Sequence, residues 1–282
     1  MSSTQTVVLG AIAGFTILLG LPLGRLRVRN PLFPAGLTAL ALGILLFLLW
    51  DVLAHAVEPV EEALDDAVDG QGWWDFVGLA MLLAGGFALG LMSLVYYDRW
   101  MDRRTRPSKL IGPGAAAMAE YEERPWLETL TPGRRLALLV ATGIGLHNFG
   151  EGLAIGQSAA AGEIALALTL IIGFGLHNTT EGFGIVGPMA GETELPSWRF
   201  LALLGLIGGG PTVVGTIVGQ AWVSEAVSVL FFAVAAGSIL FVVQELFAVT
   251  RRFHQPVVTT WLLLLGLALG FGTDFVLEAV GG

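Results

Sequence analysis

Two stretches of this 282-residue chain are nearly the same, and both carry residue types whose side chains can ligate a metal ion. Gly145-Leu146-His147-Asn148-Phe149-Gly150-Glu151-Gly152 returns as Gly175-Leu176-His177-Asn178-Thr179-Thr180-Glu181-Gly182. On a helix, His147 and Glu151 are four residues apart and lie about 40° from one another around the axis. Asn148 and Glu151 are three apart, so the glutamate serves both neighbours, and His177, Asn178 and Glu181 repeat the arrangement. Two facing helices of this kind offer two imidazoles, two amide oxygens and two carboxylates. That mixed nitrogen and oxygen set suits borderline divalent ions such as Zn2+, Fe2+ or Mn2+. A single His-x-x-x-Glu would be read as readily as a polar pair bonding between helices. Its duplication within one helix and a tight turn is what argues for a shared ion. Glycines at 143, 145, 150, 152, 173, 175 and 182 let helices approach closely.

The elements that hold these residues belong in a membrane. Hydrophobic residues make up 55% of the chain and charged residues 13%, about half the charged share of an ordinary soluble domain. The net charge of −9 excludes a nucleic-acid partner. The absence of cysteine excludes thiolate metal sites, disulfides and cysteine nucleophiles. Eight runs are long and apolar enough to span a bilayer: 5–24, 33–55, 76–97, 134–160, 162–189, 198–220, 225–250 and 257–280. The expected fold is an all-α polytopic membrane protein whose fourth and fifth spans carry the paired motifs at mid-depth.

Charge gives the orientation. With the N-terminus outside, the inner segments are 25–32, 98–133, 190–197 and 251–256, and all 14 basic residues fall in them or on the adjoining helix ends. They include Arg25, Arg27, Arg29, Arg103, Arg104, Arg106, Lys109, Arg124, Arg134, Arg135, Arg199, Arg251 and Arg252. The outer segments carry only acids, among them Glu58, Glu61, Glu62, Asp65, Asp66, Asp69, Asp75, Glu163, Glu225, Asp274 and Glu278. Both termini are expected to be extracellular. The acidic 58–75 segment reads equally as a solvated loop or as a field that gathers cations.

Asp51, Glu151, Glu181 and Glu245 fall within spans, where a charge costs about 2.5–3.5 kcal/mol on insertion scales, and no Lys or Arg lies at a span centre to offset them. A bound metal or transported protons must do so. A fainter repeat places Asp51 and Glu245 in equivalent positions: Gly43-Ile44-Leu45-Leu46-Phe47 precedes Asp51 as Gly237-Ser238-Ile239-Leu240-Phe241 precedes Glu245. These two spans run in opposite directions, so spans one to three and six to eight read as inverted copies around spans four and five. Asp51 is expected above the central site, near the outer end of its span, and Glu245 below it, near the inner end of its own. His55 and His254 read more simply as an interfacial and a loop histidine.

The paired His-Asn-x-x-Glu-Gly motifs in the fourth and fifth of eight spans resemble the ZIP family of divalent metal transporters, and Gly237 to Leu246 looks like that family's seventh span. The resemblance implies import of Zn2+, Fe2+ or a similar ion toward the cytoplasm, as cargo and not as a catalytic cofactor. It implies metal ligands His147, Asn148, Glu151, His177, Asn178 and Glu181, with Glu245 on the inner exit route and Asp51 at a position where many members have histidine. A bundle of spans one, four, five and six would move against the other four, and members often form homodimers. The chain departs from the family pattern in having Gly150 and Thr180 where many members have proline, and Gly210 where some have a sixth-span glutamate. The last difference favours one main metal site.

The chain thus divides into 1–97 (spans one to three), 98–133 (a cytoplasmic loop), 134–189 (the site-bearing spans) and 190–282 (spans six to eight), within one membrane domain. An intramembrane metallohydrolase and a cation channel are the alternatives. The first would need an unequal site with a separate general base, and no His-Glu-x-x-His occurs. The second would conduct without saturating.

Overall fold

Inside a bilayer every backbone N–H and C=O must be bonded within its own segment, so apolar runs of this length fold as helices. The computed structural model describes residues 1–26, 30, 32–105, 126, 130–190, 192–222 and 224–281. Among them there is no strand, and eight helices are long and apolar enough to cross a membrane. They are α1 (Ser3–Phe15, continued by Ile17–Gly20 and a 3-10 turn, Leu21–Arg25), α2 (Leu32–Val68), α3 (Trp73–Thr105), α4 (Pro132–Ala161), α5 (Ile164–Val186), α6 (Trp198–Ala221), α7 (Glu225–Arg252) and α8 (Pro256–Gly281). Arg27, Arg29, Arg106, Lys109, Arg124 and most of the 98–133 loop lie outside the described residues, as do the side chains of Arg104 and Glu278.

The boundaries follow local signals. Ser2 and Gln5 form a capping box at α1, Thr131 accepts from Arg134 N ahead of Pro132 at the start of α4, and Ser197 accepts from Phe200 N at the start of α6. Gly162, at φ 85°, ends α4 in the left-handed conformation that glycine adopts without strain, which gives the tight turn between the two motifs.

Two helices are longer than the sequence suggests. α2 has 37 residues, about 55 Å at 1.5 Å per residue, against a hydrocarbon thickness of about 30 Å. The acidic segment expected as a loop is therefore helical up to Val68 and turns only at Asp69–Gly72. Its buried residues Ala56, Val60 and Ala67 stay on one face while Glu58, Glu61, Glu62, Asp65 and Asp66 are exposed. Asp51 consequently lies mid-helix, not near an end. α3 likewise runs to Thr105, so the first residues of the 98–133 segment continue the helix.

Lipid tails are as apolar as leucine, so the helices associate by close packing, not by exclusion of water. The small residues do not bring α4 and α5 onto each other, as the motif reading suggested. A Cβ on Gly145 or Gly152 would strike the backbone of α6 at Ile207 or Thr212, one on Gly143 would meet Val242 of α7, and one on Gly182 would meet α1 at Ile17 and Gly20. The site helices are thus clamped from outside by α1, α6 and α7. Elsewhere Gly43 meets Gly266 between α2 and α8, and Gly90 meets Val234 between α3 and α7. A continuous apolar core that includes Leu42, Leu45, Leu48, Val140, Ile144, Ile185 and Val243 fills the bundle on the arginine-bearing side of the motifs. On that side Arg135 also pairs with Asp102 of α3 at 2.7 Å.

Candidate metal site

The antiparallel run of α4 and α5 brings the two motifs to one depth. His147, Asn148, Glu151, His177, Asn178 and Glu181 are all buried, the most accessible being His177 at 8%. His147, Glu151 and His177 each offer a ligand atom, and those atoms all lie within 4.8 Å of one another. The contacts cross between the motifs. Glu151 Oε1 is in direct contact with His177 Nε2 and lies 3.1 Å from His147 Nε2, and His147 Nε2 is 3.7 Å from Glu181 Oε1. The two imidazoles stack with ring centres 6.1 Å apart and planes inclined by 25°.

The asparagines are held so that their oxygens stay free. Asn148 Nδ2 donates to Gly208 O of α6 at 3.0 Å, and Asn178 Nδ2 donates to Ala13 O of α1 at 3.1 Å. The Ala13 contact falls at the break in α1 around Thr16, whose hydroxyl itself donates to Ala13 O at 2.7 Å. With both amide nitrogens engaged by carbonyls, each Oδ1 is the remaining atom, and neither has a hydrogen-bond partner among the described residues. Both oxygens of Glu181 and both ring nitrogens of His147 are also buried without a hydrogen-bond partner. Leaving such groups unpaired in an apolar interior costs about 1–3 kcal/mol each, more for a charged one. One divalent cation among them offsets much of that cost by engaging the asparagine and glutamate oxygens and one ring nitrogen of His147, which a single side-chain donor could not do.

The cluster forms the floor of a cavity of about 330 Å³. From His147, Glu151 and His177 it rises past Asp51 to His55 and Asp274, toward the end of the bundle that carries the α2 acids. The opposite side of the cluster is closed by the apolar core. Asp51 therefore shares a space with the motif residues. His55 lies outside the cluster, exposed, with Nδ1 2.9 Å from Asp51 O and 3.6 Å from Asp51 Oδ1. Glu245 is not brought to the cluster. It is half-buried near the arginine-bearing end of α7, where the charged groups acting on it are Asp98 and Arg252. His254 belongs to a separate cleft.

Asp274 and Gln157 line the cavity although the sequence did not single them out as site residues. Asp274 is an acid inside an otherwise apolar run, which is the signal that could have marked it. Gln157, one and a half turns past Glu151, holds the cavity wall to α7 by accepting from Ser228 Oγ at 3.0 Å.

The model of one protein family, described as ZIP Zinc transporter, matches residues 114–278, a stretch that contains both motifs. No curated protein matches the chain.

Proposed function

The chain belongs to the ZIP zinc transporter family, multi-pass membrane proteins that carry divalent metal ions and are not enzymes, and on that premise we propose that it moves Zn2+ and related ions (Fe2+, Mn2+, Cd2+) toward the cytoplasm through the His147, Glu151 and His177 cluster. The observation that carries this reading is the convergence of those three ligands from two helices on the floor of a cavity with an acidic approach.

A hydrated divalent ion does not cross hydrocarbon, so protein ligands must replace its water at each stage. Asp51 and Asp274 supply carboxylates along the approach. Glu151 then bridges two imidazoles, and Glu181 and the free oxygens of Asn148 and Asn178 complete the ligand set. Release follows past Glu245, with Asp98 beside it. The arginine-bearing end is cytoplasmic in this reading, in keeping with the distribution of basic residues, and both termini are extracellular at the cell membrane.

The chain divides as 1–97, 98–133, 134–189 and 190–282. The paired contacts Gly43 with Gly266 and Gly90 with Val234 support the two outer units as inverted copies. In that relation α2 on α8 corresponds to α7 on α3. The core on the arginine side must part for release while the cavity closes, with α1, α4, α5 and α6 shifting against the other four helices. Assembly as a homodimer is the expectation carried by the family.

The test is uptake of Zn2+ into liposomes by the purified protein, with Fe2+, Mn2+ and Cd2+ as competitors, beside Glu151→Ala. Saturable uptake that the substitution abolishes supports a carrier working through this cluster. Uptake that rises without saturation supports a channel, and parental uptake by the variant removes the cluster from the route.

A further inference from the structure

Far from the metal cluster, at the arginine-bearing end of the bundle, the helices leave a second cavity. It is a cleft of about 390 Å³ between the start of α2, the end of α7 and the start of α8. Its floor is apolar, formed by Leu42, Phe247 and Leu263, and its rim is polar, formed by Arg251, His254 and Gln255. A neighbouring cleft of about 310 Å³ shares Phe247 and Arg251 and extends along α7 to Gln244. Gln244 and Arg251 are both exposed.

The polar side chains of the rim are exposed. Among the described residues, the side chains of Arg251, His254, Gln255 and Gln244 make no hydrogen bond or ion pair with one another or with other described groups. The adjacent Arg252 differs, because it acts on the carboxyl of Glu245. The neighbouring arginines on α7 therefore have different surroundings, one near a protein acid and one at the mouth of the cleft. The turn that places the rim contains the only non-glycine residue with a positive φ among the described residues, His254 at 50°.

We infer that this cleft binds an anionic phospholipid of the leaflet on the arginine side, with the phosphate at Arg251 and His254 and an acyl chain along Phe247, Leu42 and Leu263. The depth fits. Arg251 is in the last turn of a spanning helix, at the level where headgroups lie and where basic side chains meet anionic lipid. The chemistry fits at both ends of the ligand, since a guanidinium pairs a phosphate through two parallel N–H donors while the apolar floor has no use for a small hydrophilic anion. Gln244, one helical turn from Phe247 toward the membrane interior, offers its amide at the depth of the glycerol esters.

The site is independent of the transport reading, and its test does not use transport as the readout. The full chain, purified in detergent, is titrated with palmitoyl-oleoyl phosphatidylglycerol and with phosphatidylcholine of the same tails, and lipid adducts are counted by native mass spectrometry. The expected result is phosphatidylglycerol binding that weakens at least about tenfold in the double variant Arg251→Gln/His254→Gln, no comparable phosphatidylcholine binding, and no displacement by inorganic phosphate. Arg199→Gln, at the same membrane face but outside the cleft, retains the parental affinity. An unaltered elution volume and thermal midpoint establish that the double variant is folded. Parental phosphatidylglycerol binding by the folded double variant overturns the proposal, as does equal retention of the two lipids. Displacement by free phosphate also overturns it, since the cleft would then hold a soluble anion instead of a lipid.

Discussion

His147 Nε2 stands 3.7 Å from Glu181 Oε1 on the neighbouring helix, so the histidine of the first motif faces the glutamate of the second. The reverse pairing, His177 with Glu151, is tighter. The two motifs are thus crossed rather than side by side, and neither contains a complete site alone. Glu151 is the shared element, touching both imidazoles, whereas Glu181 reaches only one of them.

The first prediction follows from that asymmetry. Glu151→Ala and His177→Ala abolish zinc uptake in cells or liposomes while the protein still reaches the membrane. Even an outer-shell partner of a metal ligand is worth about 10–100-fold in affinity or activity, and a direct ligand is worth at least that. Glu181→Ala, which leaves the three-residue group intact, retains more zinc affinity than Glu151→Ala when both are titrated with Zn2+ in detergent.

Protons and metal compete for the same atoms. Imidazole and carboxylate ligands bind the ion only when deprotonated, so apparent zinc affinity falls as pH is lowered. Measured as initial uptake rate against zinc concentration at several pH values, the effect enters as a rise in the half-saturating concentration that excess zinc overcomes. A fall in maximal rate alone, at unchanged half-saturation, places the titrating group elsewhere.

Helix packing around the site has a sharp stability signature. A side chain at Gly152 must displace the backbone of α6 at Thr212 and Thr216, so Gly152→Val destabilises the fold by about 1–3 kcal/mol, the usual range for overpacking. Gly85, with nothing within 4 Å of its added Cβ, accepts alanine with no loss and a gain of up to about 1 kcal/mol from helix propensity. Thermal unfolding in detergent distinguishes the two.

The native chain has no cysteine, so single-cysteine variants report accessibility without background. Ser158→Cys, in the cavity wall, reacts with a membrane-impermeant thiol reagent added outside intact cells. Glu194→Cys, on the segment before α6, whose carboxylate side chain is 82% exposed, reacts only after permeabilisation. Ser238→Cys, fully buried and bonded to Gly143 O at 3.2 Å, resists in both conditions. The opposite order for the first two reverses the orientation.

Much of this was legible in the residues. Eight apolar runs gave eight helices, because a bilayer leaves the backbone no other way to bond. The duplicated His-Asn-x-x-Glu gave the cluster, because helix spacing fixes which side chains share a face. Helix ends were less legible where composition was misleading. The acids after Asp51 read as a loop, yet glutamate, alanine and leucine sustain a helix in water as well as in lipid, and α2 continues to Val68. Partners of the glycines could not be read, since spacing shows that a helix has a close-packing face but not which neighbour occupies it. Asp274 reads from the sequence only as an outer acid, because its place beside Asp51 in the cavity depends on how α8 packs on α2.

The central claim is that imidazoles from two helices hold one ion together, and X-ray absorption at the zinc edge tests it most directly. Protein purified and loaded with one equivalent of Zn2+ should show nitrogen and oxygen coordination with outer-shell scattering from two imidazoles, reduced to one in His177→Ala and again to one in His147→Ala. Zinc surrounded by oxygen alone, or a spectrum that neither substitution alters, contradicts the account.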